Sequence, residues 1–299
     1  MGFEIENGVL KKYIEEKIDA EVVIPYGVTS IAKQAFFNSK IRSIVIPDSV
    51  ESIGNMAFYS CMSLKSAVIS DNVKSIGHGA FEHCYFLESV NIPKNVKVIE
   101  YGTFWGCHCL KSIVIPDSVE SIGNSAFFSC GLLASLTIST DVSEIGRDAF
   151  KGCDCLKNIT IKGRKLTVKI YNNKFTKAEK ENIVDFVTAN SDEREQIFSG
   201  MSRLVCKIPL AIFLAFEHDN ETAKAYIKKN ITKTVKQCVD NDDAENLTKI
   251  LSLSYVTKEN IDKLIGYTID SKKPEIQIIL SNYKNDNIGF GNNFNKFML

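Results

Sequence analysis

A unit of 23 residues repeats five times, head to tail, from Ile41 to Cys155. The copies begin at Ile41, Leu64, Leu87, Leu110 and Leu133; a 22-residue variant precedes them and half a unit follows from Leu156. So short a unit cannot bury its own apolar side chains. It must stack on its neighbours, and stacking produces a solenoid whose stability is a sum over adjacent turns.

Each recurring position has a physical task. The copy from Ile41 to Ser63 reads IRSIVIPDSVESIGNMAFYSCMS, and the copy from Leu110 to Leu132 is nearly its twin. Position four is Ile44, Ala67, Val90, Ile113 and Leu136, and position six is isoleucine in all five copies. That alternation predicts a strand of about four residues with one face in the core. Pro47, Pro93 and Pro116 at position seven donate no backbone N–H, so the strand stops there. Valine at position ten and isoleucine at position thirteen re-enter the core. Gly54, Gly77, Gly123 and Gly146 follow, at a turn where a positive φ is expected; Glu100 takes that place in the third unit. Phe58, Phe81, Phe104, Phe127 and Phe150, each after a small residue, are wedges into the core. Burying one such ring stabilises by ~1.5–3 kcal/mol. A cysteine column closes the unit at Cys61, Cys84, Cys107, Cys130 and Cys153.

This pattern resembles the BspA-like leucine-rich repeat, also called the Treponema pallidum type, whose unit is close to LxxLxIPxxVxxIGxxAFxxCxx. The resemblance spans roughly residues 20 to 163. It implies a right-handed leucine-rich-repeat solenoid with parallel strands on one side and short helical turns on the other. Rungs would lie ~4.8 Å apart, the spacing of paired strands.

The ends follow other patterns. Phe3 to Tyr13 reads as a hairpin about Asn7–Gly8, a type I′ turn signal, and is expected to cover the first rung. After Lys174 the chain becomes helical. Thr176 and Glu179 form a capping-box start, with Ile183, Phe186 and Val187 on an apolar face. A second segment starts near Ser191. Further helices fit Leu204–Phe216, Glu221–Val239, Ala244–Leu253, Lys258–Ile269 and Pro274–Tyr283. Thr257 caps one, and Pro274 occupies the favoured first position of another. Residues Asp242 to Lys284 resemble ankyrin helices without that family's signature loop: ENLTKIL at Glu245 and EIQIILS at Glu275 recur 30 residues apart, near the ankyrin period of about 33. The expected organisation is an α+β chain: a solenoid over 1–168 with hairpin cap, an all-helical ankyrin-like array over 174–284, and a flexible tail over 285–299. In that tail Phe290, Phe294 and Phe297 are able to dock back on the protein.

Charge and motifs narrow the function. The chain holds 36 basic and 36 acidic residues; residues 1–163 hold 15 and 18 of them, leaving 21 and 18. Neither half is basic enough for nucleic acid. No segment spans a membrane, and the polar N-terminus is not a secretory signal. The chain as given is expected to be cytoplasmic, or on the cell surface or secreted if a leader has been removed. The nine cysteines read as buried free thiols, with column disulfides or a metal site around His83, Cys84, Cys107, His108 and Cys109 as alternatives. The spacing lacks the CxxC pairs of zinc sites. No catalytic residue, cofactor-binding motif or metal site is assigned, and no nucleophile elbow, phosphate loop or HExxH pattern occurs.

The expected function is therefore a non-enzymatic scaffold for a protein partner, with adhesion or glycan binding as the alternative. Candidate binding residues lie where the copies vary. Position nineteen holds Phe37, Tyr59, Glu82, Trp105, Phe128 and Lys151, of which four are aromatic. Rows of rings suit recognition, though they also pack over neighbouring turns. The third unit departs furthest, with Asn91, Glu100, Tyr101, Trp105 and His108. Outward strand positions, such as Ser43 and Val45, offer a flat face of small side chains.

Overall fold

The structure, a computed structural model, describes residues 2–15, 18, 20–163, 167–171, 183, 186–189, 191–201 and 204–288. These residues fall into two compact units, one within 1–163 and 172–193 and the other within 164–171 and 194–299.

The first unit is a parallel β-solenoid. Its hairpin pairs β1 (Gly2–Glu6) with β2 (Val9–Ile14) in antiparallel fashion. Asn7 and Gly8 take φ of 50° and 78°, as a type I′ turn demands. β2 then pairs in parallel with β4 (Ser30–Ile31), so the hairpin joins the stack. Every full unit contributes two strands. The longer series is β3 (Glu21–Val23), β5 (Ser43–Ile46), β7 (Ser66–Ile69), β9 (Ser89–Val90), β11 (Ser112–Val114), β13 (Ser135–Ser139) and β15 (Asn158–Lys162). The shorter series continues from β4 with β6 (Ser52–Ile53), β8 (Ser75–Ile76), β10 (Val98–Ile99), β12 (Ser121–Ile122) and β14 (Glu144–Ile145). Register is fixed by like meeting like: Ser43 pairs with Ser66, Ile44 with Ala67, Ile53 with Ile76. The second series escaped the sequence reading because two residues carry no period.

The third side corrects the helical turns that the family resemblance implied. Residues at positions sixteen and twenty are left-handed in every unit, including Met56 (φ 55°), Ser60 (φ 57°) and His83 (φ 61°). This changing hand turns alternate N–H groups along the solenoid axis instead of back along the chain. Met56, Phe58 and Ser60 thus donate to the carbonyls of His78, Ala80 and Glu82 in the next unit, at 2.8, 2.8 and 2.9 Å. All three sides are laddered.

The glycines of position fourteen are a second correction. None of Gly54, Gly77, Gly123 and Gly146 has positive φ. A Cβ on Gly54 would instead lie 2.6 Å from the backbone nitrogen of Lys33, and one on Gly123 would lie 2.7 Å from that of Tyr101. Glycine is needed because successive turns touch backbone to backbone.

The core is a set of columns. Tyr13, Phe36, Phe58, Phe81, Phe104, Phe127 and Phe150 stack with centroids 4.9 to 5.6 Å apart, all but the two end rings almost wholly buried. The hairpin contributes Tyr13 to this column. Each column thiol is buried and donates to a phenylalanine carbonyl one turn earlier: Cys61 to Phe36 at 3.0 Å, Cys84 to Phe58 at 3.1 Å, Cys107 to Phe81 at 3.3 Å. A thiol is small enough for the core and satisfies an oxygen that water cannot reach. At the far end Ile183 and Val187 line a small apolar space with Leu136, Phe150 and Ile159. The expected capping pair Thr176 and Glu179 lies outside the described residues.

The second unit holds the strand β16 (Thr167–Tyr171) and seven helices among the described residues. They are α1 (Ser191–Gly200), α2 (Leu204–Glu217), α3 (Glu221–Lys229), α4 (Ile231–Asp240), α5 (Ala244–Ser252), α6 (Lys258–Asp270) and α7 (Pro274–Asn287). The single helix expected over Glu221–Val239 is broken at Asn230 (φ −112°), whose side chain donates to the carbonyl of Tyr226 at 3.0 Å. Asparagine competes for backbone partners and so ends helices. Asn220 and Asp243 cap α3 and α5 by accepting from Ala223 N–H and Asn246 N–H. At Thr257 the backbone N–H donates to the Asn260 side chain at 2.9 Å. Left-handed Asp219, Asp242 and Lys272 make the tight turns before α3, α5 and α7. Helices pair as α2/α3, α4/α5 and α6/α7, with α4 against α6 and α5 against α7. α7 includes Asn285–Asn287 of the expected tail; residues 289–299, with Phe290, Phe294 and Phe297, lie outside the described residues.

Candidate interaction surface

In-register stacking places position nineteen of each unit directly over the last. The result is a row of rings along the turn side. Phe37, 52 % exposed, lies parallel to Tyr59 with centroids 5.4 Å apart. Glu82 occupies the next place, and its neighbour His83 fills the ring's role: it meets Tyr59 edge-on at 5.4 Å and Trp105 at 6.4 Å. Trp105 and Phe128 are 5.1 Å apart. The row ends where the Lys151 ammonium sits 5.7 Å from the Phe128 centroid and pairs with Asp148 at 3.2 Å.

Other predicted residues join this face. Tyr101 is exposed with its ring edge-on to Trp105 at 6.1 Å. His108 stacks on Tyr85 at 5.0 Å, with Nδ1 2.8 Å from the Ser129 carbonyl. Glu100 lies at its flank, 3.3 Å from His78 Nδ1. Asn91 is elsewhere, on the long-strand side. Its amide accepts from Ile69 N–H at 2.8 Å and donates to Ile69 O at 2.6 Å, replacing the backbone pairing that ends at Val90. Sequence reasoning missed His83 and Tyr85, which bridge the rings, and Met62, Phe86 and Leu132, which extend the exposed apolar area. They fall at positions twenty, twenty-two and twenty-three, where no column of one residue type marks them. The long-strand side carries a separate column of exposed Val23, Val45, Val68 and Val114.

The third unit is a structural fault as well as a sequence one. The short series breaks between β8 and β10, and the long series between β9 and β11. The N–H of Gly54, Gly77, Gly123 and Gly146 bonds an isoleucine carbonyl one turn back, and Glu100 lacks that bond among the described residues. A side chain stands where backbone contact is needed.

Burial and neighbouring charges set how several of the side chains titrate. Burial pushes the Cys84, Cys107 and Cys238 thiols up, so they stay protonated and unreactive. Cys109 and Cys155 are half-buried and unbonded. Burial also raises Glu82, partly offset by His83. Lys74, by hydrogen bond and charge, holds the exposed Glu51 below the usual carboxylate range, as Lys111 does for Glu88. Among the described residues no three His, Cys, Asp or Glu side chains gather as a metal site, and no helix is long and apolar enough to cross a membrane.

Stacked two-strand turns with a phenylalanine ladder define a leucine-rich parallel β-solenoid repeat protein. The chain belongs to the family described as the BspA type leucine rich repeat region, in six copies, which matches residues 15–133 and 121–210. Among solved structures, a T. pallidum leucine rich repeat protein is 30 % identical with a TM-score of 0.49, over 53 % of this chain and 76 % of that one. A leucine rich cell surface protein from Faecalibacterium prausnitzii is 28 % identical with a TM-score of 0.41, over 57 % of this chain and 55 % of that one. The pneumococcal vaccine antigen PcpA is 22 % identical with a TM-score of 0.34, over 54 % of this chain and 35 % of that one. No curated protein matches the chain.

Proposed function

We propose that this protein is a non-enzymatic scaffold that binds a protein partner through the turn side of its solenoid. One observation carries the reading: partly exposed rings run along that side from Phe37 to Phe128, across the variant and the first four full units. Packing alone accounts for the ladder beneath, from Tyr13 to Phe150. It does not call for a second set of rings outside it, where each leaves apolar surface in water. Large rings in an exposed patch supply binding energy at little conformational cost. Membership of a repeat family and protonated, buried thiols support binding rather than catalysis. The helical unit is read as an ankyrin-like array offering a second surface, supported by its stacked helix pairs and by the tight turns at Asp242 and Lys272.

The test compares proteins captured from source-cell extract by the immobilised full chain and by a Tyr59→Ala/Trp105→Ala/Phe128→Ala variant, both checked for folding by circular dichroism. A defined set of proteins lost from the variant is expected. An identical set on both would refute the reading.

A further inference from the structure

The row of rings has one member of the wrong kind. Glu82 stands at position nineteen between Tyr59 and Trp105, and its side chain is only 14 % exposed. A carboxylate in that setting loses most of its water and needs a replacement. The described residues supply little: no lysine or arginine pairs with it, and His83 Nε2 is 3.5 Å from Oε1. His83 Nδ1 is itself buried without a hydrogen bond.

The recess that holds the carboxylate is made by sequence. Position sixteen is Gln34, Met56, Ser125 or Asp148 in other units, but glycine in the second and third. A Cβ at Gly79 would lie 2.6 Å from Glu82 Oε2, and one at Gly102 would lie 3.7 Å from it. The two glycines leave room for the carboxylate to lie down between the turns. Burial raises its pKa, as expected of a carboxylate short of compensation. Glu100, in the next unit, adds a second carboxylate, 3.3 Å from His78 Nδ1.

The same row shows what such a site accepts. At its end a cation lies over a ring and against a carboxylate: Lys151 over Phe128, paired with Asp148. Glu82 has the carboxylate and the rings but no cation. We propose that the recess at Glu82, which stands between Tyr59 and Trp105 in the row, binds an arginine side chain of the protein partner. A guanidinium is planar, stacks on rings and forks onto a carboxylate, and it sheds water more easily than an ammonium. This inference rests on the turn side being the binding face, and it names the chemistry at its centre.

Trp105 is the only tryptophan in the chain, so its fluorescence reports on this recess. The experiment titrates the full chain with an acetylated, amidated Gly-Arg-Gly peptide and with the same peptide bearing citrulline, the neutral isostere. Saturable change with arginine is expected, and binding about tenfold or more weaker with citrulline or with Glu82→Gln. Glu82→Ala, with folding checked by circular dichroism, must also lose the arginine response. Equal binding of both peptides, or an unchanged arginine response in both Glu82 variants, overturns the site. Neither result touches the wider reading, which stands or falls on capture by the triple ring variant.

Discussion

Alanine at Gly123 should cost far more than alanine at Gly131, although both replace a surface-loop glycine. A Cβ at Gly123 falls 2.7 Å from Tyr101 N, 2.8 Å from the Glu100 carbonyl carbon and 3.1 Å from Ile99 O. All three are backbone atoms, so no rotamer change relieves the clash. Comfortable contact is about 3.5–4.0 Å, so the turns must part by on the order of 1 Å. The bond from Gly123 N–H to Ile99 O, 2.7 Å long, stretches first, and the pairing of β10 with β12 goes with it. Two such bonds are worth ~1–3 kcal/mol, and overpacking adds ~1–3 kcal/mol. A loss of about 2–6 kcal/mol is expected. Glu100 shows the outcome already: a side chain at this position coincides with a missing bond and a broken sheet. A Cβ at Gly131 meets nothing within 4 Å, and its φ is not positive, so alanine there should be neutral or stabilise by up to ~1 kcal/mol. Urea unfolding followed by circular dichroism and Trp105 fluorescence measures both. Losses equal within about 0.5 kcal/mol, the usual surface scatter, would refute the steric argument. Gly123→Asn separates the two explanations further: asparagine tolerates positive φ, so rescue by asparagine would restore the conformational reading.

Phe104→Ala should cost ~3–5 kcal/mol, because it empties a buried place between Phe81 and Phe127; Trp105→Ala should cost less than half of that, and equal losses in urea would mean the outer row is structural. Asn91→Ala should destabilise by ~1–3 kcal/mol by stripping partners from Ile69 N–H and C=O, with faster hydrogen exchange at Ile69 as the readout. Cys109 and Cys155 should react with a thiol reagent in the native protein, while Cys61, Cys84, Cys107, Cys130, Cys153 and Cys238 wait for unfolding; rapid native labelling of the column, mapped by mass spectrometry, would contradict their burial. Glu82→Gln should stabilise at neutral pH: a raised native pKa means the folded state holds the proton more tightly, so the ionised group costs stability as pH rises through that pKa. The gain should vanish below the unfolded pKa of ~4.3, and a pH-independent difference in melting would argue otherwise.

Much of the fold is legible because a parallel stack makes each residue its own neighbour. Ile46 must suit Ile69, and Phe58 must suit Phe81, so the columns repeat in the chain. Asn7–Gly8 announces its hairpin for a different reason, the backbone hand it permits. What stays hidden is what depends on the space between turns. Gly54 looks like a bend, yet its role is closeness to Ala32 and Lys33 one turn away. Ser52–Ile53 is too brief for any periodicity. Asn230 breaks a helix whose apolar spacing runs straight through it. At the surface the rings could be placed from sequence, but Glu82 read as a mere interruption. Its meaning comes from Gly79 and Gly102, which lie beside it only after stacking.

The double fault at the third unit has a mechanical consequence. A rod laddered on three sides resists bending in every direction. Here the short-strand ladder is interrupted before the unit and the long-strand ladder after it, while the turn side runs through both junctions, by way of Gly79 to Tyr101 and Phe81 to Thr103, then Phe104 to Ala126 and Gly106 to Phe128. Each junction of this unit thus has one sheet ladder fewer to resist bending, and the turn side is the ladder common to both. The rings ride on that ladder. The surface proposed to meet a partner lies on the side that these two breaks leave continuous.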